Sequence, residues 1–336
     1  MDGTDRKSTE KKSQAPPGLI DLFHTETATN DGRWRLFGLL GSFIVLGLLY
    51  RENLKHFTFV WSNDDNYSHG WLVPPLAIYF ANMAAGSKTK GDAGHTTGLF
   101  LGLGLVLAGL FGRLFSVFLP VGLVADGSLV VCLAGIVCLV YGRKTLQKYL
   151  FAIGFLVFMI PLPVALYTML ANPLQLVVSR AASVIMNAVG VPVLCEGNMM
   201  TLPGGIKMFV AEACSGMRQL TGFLALTAAV AYLSGKPFWY RLVLVASAIP
   251  VAMVANIARV IVTGLIMYFV DPNYAKGALH TVEGMLLMFG GLALLQLEMV
   301  VLNAVMDLTT PTTVKDPSCS GFTADSQPAI VSGAGA

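Results

Sequence analysis

Eight apolar runs dominate the chain, at residues 36–50, 71–86, 97–112, 122–141, 149–170, 213–234, 242–270 and 281–305. A helix needs roughly 20 residues to cross about 30 Å of hydrocarbon, and inside that layer every backbone polar group must be satisfied within the protein. Runs of this kind and number specify an all-α fold, a polytopic membrane helix bundle with about eight transmembrane helices. The first three are short and must borrow flanking residues, among them Trp34 and Trp71. By length alone 336 residues would suggest two soluble domains, but 55% hydrophobic and 12% charged residues exclude that.

Polar stretches flank the bundle. Residues 1–33 carry Arg6, Lys7, Lys11 and Lys12 and hold no apolar run, which argues against a cleaved signal. Beyond about residue 306, Thr, Pro, Ser and Gly prevail. The expected organisation is a transmembrane domain over 34–305 between disordered tails at 1–33 and 306–336. With the N-terminus inside, fourteen of the 22 Lys and Arg fall on the cytoplasmic side and every internal cytoplasmic loop is basic. Both termini are then cytoplasmic, and segments 51–70, 171–212 and 271–280 face outward. In the second of these, Asn172, Gln175, Ser179 and Arg180 alternate with apolar residues, a pattern suited to an interfacial helix. Pro192, Gly197, Asn198, Pro203, Gly204 and Gly205 then punctuate a small hairpin.

Several function classes drop out. A net charge of +3 gives no basic surplus for nucleic acid. The five cysteines lack CxxC spacing and no histidine lies near one, so neither a zinc module nor a disulfide scaffold is indicated. No metal or organic cofactor is implied. Gly98, Gly102 and Gly104 have no strand before them and read as close helix packing rather than a dinucleotide loop. Cys132 and Cys138 read as small buried residues.

Ionisable groups at membrane depth are costly and therefore mark candidate sites. Glu212, Cys214, Ser215 and Arg218 open the sixth run, with Cys214 and Arg218 four apart on one helical face. Arg259 stands eighteen residues beyond Arg241, roughly 27 Å along a helix, with Asn256 three residues before it and Pro250 earlier in the run. His280 begins the eighth run and Glu283 follows one turn on. These types suit nucleophilic acyl transfer. A thiol near pKa 8.5 gains from a helix N-terminus and an imidazole. Arginine stays charged and suits an oxyanion or substrate carbonyl. Histidine titrates near 6.5 and suits general acid–base work.

The run Glu212-Ala-Cys-Ser-Gly-Met-Arg-Gln-Leu220, Pro250 with Asn256-Ile-Ala-Arg259-Val, His280-Thr-Val-Glu-Gly284 and Tyr67-Ser-His-Gly70 together resemble the exosortase and archaeosortase family, over roughly residues 36–305. The resemblance implies a cysteine transpeptidase of the bacterial inner membrane, with Cys214, Arg259 and His280 catalytic and its active site facing outward. The implied partners, besides membrane lipid, are exported proteins with a C-terminal sorting signal: a short motif of the Pro-Glu-Pro type, a membrane helix and a basic cluster. Cleavage at the motif would pass the protein to a surface acceptor.

Blander readings stand beside these. Cys214 is a buried small residue or a disulfide partner of Cys195, and Arg259 a snorkelling anchor. His280 is an interfacial cap, and Glu212 and Glu283 are helix-start acids or groups orienting His280 or Arg259. Arg218 binds a carbonyl or a lipid head group. His69 is structural or positions substrate, with Ser68 capping the second span. A transporter or flippase for an envelope polysaccharide or lipid-linked precursor is the competing function, and an export scaffold a weaker third.

Overall fold

The computed structural model describes residues 18–86, 95–118, 122–210, 217–270 and 278–309. Helices α1 (Leu19–Ala28), α2 (Asn30–Leu49) and α3 (Arg51–Asn63) follow one another through single-residue joints at Thr29 and Tyr50. At the first joint the Thr29 hydroxyl accepts from the Gly32 N–H at 3.1 Å, capping α2. A 3₁₀ turn, Asp65–Trp71, leads into α4 (Val73–Ala85). Residues 19–28, expected within the N-terminal tail, are thus helical. α1 is tied to α4, because the Leu19 N–H donates to Asn82 Oδ1 at 2.8 Å.

Next come α5 (His95–Phe118) and α6 (Gly122–Tyr141), which make the most extensive helix pair of the structure. Glycine allows that approach. A Cβ on Gly102 would lie 2.7 Å from the Leu139 nitrogen, and one on Gly135 the same distance from the Val106 nitrogen. Gly98 likewise abuts the backbone of Gly142, whereas Gly104 faces open space. Two of the three glycines expected to serve packing do so. Cys132 and Cys138 are buried between the same helices, with Cys138 Sγ 3.4 Å from the Gly98 carbonyl.

The fifth apolar run is not one span. α7 (Arg143–Phe155) gives way to a 3₁₀ turn at Leu156–Met159, and an extended stretch to Pro163 precedes α8 (Val164–Ala188). Proline explains the break, since Pro161 and Pro163 remove N–H donors and bias the residues before them away from helix. The interfacial helix expected from residue 171 is instead the continuation of a 25-residue helix apolar enough to cross a membrane. Its polar residues are partly turned inward: Ala171, Gln175, Val178, Ser179, Ala182 and Met186 form one buried stripe. Ser179 Oγ donates to the Gly197 carbonyl at 2.8 Å.

The expected hairpin is a three-stranded antiparallel sheet of β1 (Leu194–Glu196), β2 (Met199–Leu202) and β3 (Ile206–Phe209). Gly197 and Gly204 take φ of 66° and 80° at its two turns, conformations that a Cβ disfavours. Three long elements close the bundle: α9 (Met217–Leu233), α10 (Phe238–Phe269) and α11 (Ala278–Thr309). Pro250 sits inside α10 without ending it. The all-α polytopic bundle holds. Among the described residues six helices are long and apolar enough to span a membrane, namely α2, α5, α6, α8, α10 and α11. The expected count of eight is not confirmed: α4 has 13 residues, and the apolar stretch of α9 among the described residues is Leu220–Leu233.

Candidate active site

The middle and last turns of α10 are the surface on which the other candidate elements converge. α10 packs against α8, α9, α11 and β3. Its C-terminal third is covered by the sheet: Val260 and Met267 share an apolar cluster with Val178, Met186, Met200, Met208 and Val210. Gly264 admits the Met186 side chain, whose Cε would lie 2.9 Å from an added Cβ. The Val210 N–H donates to the Asn198 carbonyl at 3.0 Å, which ties the end of β3 to the β1–β2 turn, and Val210 itself packs with Val260 of α10.

Toward the N-terminal end of α10, Leu220 of α9 packs with Phe223, Ala248 and Ala252. Between these two anchor zones stand Asn256 and Arg259. Asn256 is 3% exposed, and its Oδ1 is shielded from solvent with no hydrogen-bond partner among the described residues. Arg259 is half-buried, with its Nε shielded. A cavity opens next to them, lined by Gln175 and Val178 from α8, Leu220 from α9, and Ala252, Met253 and Asn256 from α10.

Helix register extends the comparison. Phe223 packs with Ala248 and Ala252, while Ala231 packs with Tyr240 and Leu244, so α9 and α10 run antiparallel in constant register. α11 runs antiparallel on the other flank, where Leu292 packs with Ala248 and Ala252 and Leu302 packs with Tyr240 and Leu244, and the Ser247 hydroxyl donates to Glu298 Oε2 at 2.6 Å. In these registers Arg259 is level with the start of α9 and with the first turns of α11, the turns in whose sequence His280 and Glu283 fall.

Of the expected site residues, Glu212, Cys214 and Ser215 lie outside the described residues. Arg218, His280 and Glu283 are placed by their backbones in the first turns of α9 and α11. Asn256 and Arg259 share one face of α10, as their spacing required. Cys195 is a free thiol.

His69 reaches the region through the Asp65–Trp71 turn, which packs against α9. Asp64 caps that turn by accepting from the Asn66 N–H at 2.9 Å. Tyr67 and Trp61 clamp it to the break before α8: the Leu162 N–H donates to the Tyr67 hydroxyl at 3.2 Å, and Trp61 Nε1 donates to the Met159 carbonyl at 3.0 Å. Gly70 lies against the Trp61 indole, where any Cβ would collide. Ser68 does not cap α4, as the sequence suggested. Its hydroxyl donates back to the Asp65 carbonyl at 3.1 Å, and α4 begins at Val73, after Leu72, without a side-chain cap. Burial holds the His69 imidazole below the usual histidine range, partly opposed by its hydrogen bonds to the backbone of Phe158 and Asn66.

Gln175 is the lining residue that sequence reasoning placed at the membrane interface rather than at the site. The signal was its position in the stripe Ala171, Gln175, Val178, Ala182, which recurs at helical spacing. The family model for transmembrane exosortases matches residues 61–297. No curated protein and no solved structure matches the chain. The matched region runs from the Trp61 clamp through the sheet to α11, and the chain accordingly belongs to the transmembrane exosortase family, whose members are membrane transpeptidases acting on proteins with sorting signals.

Proposed function

We propose that this protein cleaves C-terminal sorting signals from exported proteins at the outer membrane–water boundary and transfers the exported proteins to a surface acceptor, with Cys214 as nucleophile. The observation that carries this reading is the anchoring of the chain on both sides of Cys214 along one stretch of α10. Val210 clusters with Val260, and Leu220 packs with Ala252, and Asn256 and Arg259 stand between these two contacts on α10. The registers of α9 and α11 support the same level for His280.

Cys214 precedes Met217, the first described residue of α9, by three positions in sequence, and a helix N-terminus at that point favours thiolate. Its sulfur attacks the scissile carbonyl and forms the C–S bond, while the Arg259 guanidinium stabilises the charge that develops on oxygen. The C–N bond then breaks, and the protonated His280 imidazole gives its proton to the departing amine. An incoming amine or water, deprotonated by His280, attacks the thioester and returns the thiol. Glu283 and Arg218 orient these groups, and His69 steadies the α9 end through the turn it belongs to. The substrate's own apolar segment docks against the spans, which sets the bond presented to the thiol.

The test is a full-length chain reconstituted with an exported reporter ending in a short motif, an apolar span and a basic cluster. Cys214→Ala is expected to reduce reporter cleavage by at least about 10³-fold with thermal stability unchanged. Cleavage at the wild-type rate would remove Cys214 from the chemistry.

A further inference from the structure

The cavity between α8, α9 and α10 combines apolar walls with two buried primary amides. Gln175 is 7% exposed and Asn256 3%, and they reach the cavity from facing helices. The remaining lining includes Val178, Leu220, Ala252 and Met253, and among the described residues no charged side chain lines it. A charged guest would lose its water here without a counter-charge, so the cavity selects an uncharged one. The Asn256 Oδ1 has no partner among the described residues. A buried acceptor left unmet destabilises the resting protein, and an incoming N–H relieves that cost. A primary amide presents one donor side and one acceptor side, which matches the N–H and C=O of a peptide group.

We infer that this cavity is the subsite for the first one or two residues after the scissile bond, and that Asn256 and Gln175 hold their backbone peptide groups while the apolar walls exclude charged side chains. The inference rests on the assignment of Arg259 to the scissile carbonyl. Asn256 lies one turn from Arg259, about 4.5 Å along the axis, against about 3.3 Å per residue of an extended peptide. Direction follows from the covering of α10. The sheet occupies the side of Arg259 toward Val260 and Met267, whereas the cavity lies on the other side, toward Ala252, deeper along the helix. A substrate whose apolar helix follows the cleaved bond sends its leaving side in that direction.

The experiment uses the full chain in lipid nanodiscs with a fluorescent synthetic peptide comprising a short motif, an apolar span and a basic cluster. Asn256→Leu is expected to raise KM for cleavage about tenfold, the effect of one unmade hydrogen bond to an uncharged partner, with Tm equal to or above wild type. Gln175→Leu should act in the same direction, and Asn256→Gln should recover part of the KM. Equilibrium binding of the peptide to the Cys214→Ala protein should weaken when Asn256→Leu is added. Lys placed at the first or second position after the cleaved bond should abolish cleavage, whereas Ala or Val should be accepted. A fall in Tm with KM unchanged, or tolerance of Lys at both positions, overturns the subsite. Peptide cleavage that survives Cys214→Ala with its dependence on Asn256 intact would overturn the thiol mechanism and leave the subsite standing.

Discussion

The α5–α6 pair and the junction of α8, α9 and α10 both bury polar groups, but to different ends. Around α6 the groups are answered: the Tyr50 hydroxyl meets Ser128 Oγ at 2.7 Å, and Asn53 Nδ2 donates to Asp126 Oδ1 at 2.7 Å. Arg113 adds its guanidinium over the Tyr50 ring, 5.7 Å from the centroid. Glycines bring the two helices into backbone contact, and the result is a closed, rigid support. At α10, by contrast, Asn256 keeps a buried oxygen without a partner among the described residues, and a cavity remains beside it. What separates the two regions is that polar groups around α6 are paired, whereas the Asn256 oxygen is left open beside a cavity.

That contrast breaks if a conservative change at α10 behaves like a packing defect. Arg259→Lys keeps the charge but loses the planar fork, and the expected loss in cleavage is about 10²–10³-fold with Tm within a degree or so of wild type. Steady-state cleavage beside calorimetry of the same preparation decides it. Gly102→Leu should do the reverse. Its Cβ meets the Leu139 backbone, which cannot yield as a side-chain tip can. A cost of about 3 kcal/mol is expected, with the rate per folded molecule preserved, as read by denaturant titration and active-site counting. Tyr50→Phe strands the Ser128 hydroxyl, which still donates to the Ala125 carbonyl at 2.6 Å. That retained bond keeps the expected loss near 1 kcal/mol, again with unchanged cleavage.

The sequence conveyed these regions unequally. Periodicity and glycine placement made α2, α5, α6, α10 and α11 legible, and the turn residues Gly197 and Gly204 announced a hairpin, though not its third strand. The division of 149–170 into α7 and α8 was missed because apolarity alone does not register two prolines two residues apart. Gln175 and Ser179 looked like interface residues because their burial depends on α10 and the sheet, which are remote in sequence. In the site, Asn256 and Arg259 were legible since their relation is local, three residues on one helix. The cavity was not, because it needs three helices at once. Tyr67-Ser-His-Gly70 looked like a helix cap, yet it acts as a clamp: Tyr67 and Gly70 face the α7–α8 break and the Trp61 indole, contacts that only the fold creates.

The smallest effect sharpens the role of that clamp. Burial depresses the folded-state pKa of His69 relative to the ordinary 6.5. Above 6.5 the imidazole is neutral in both states and the clamp contributes fully. As pH falls below that value the unfolded chain takes up a proton more readily than the folded one, so stability declines until the depressed folded value is passed, and then levels off. His69→Gln removes the titration while retaining a donor for the backbone, and its Tm should therefore fall less than that of wild type between about pH 7 and pH 5. The readout is the difference between the two melting curves across that window. If both proteins lose stability in parallel, the pH dependence arises elsewhere, and His69 would be free to take part in substrate handling rather than in holding the turn against α9.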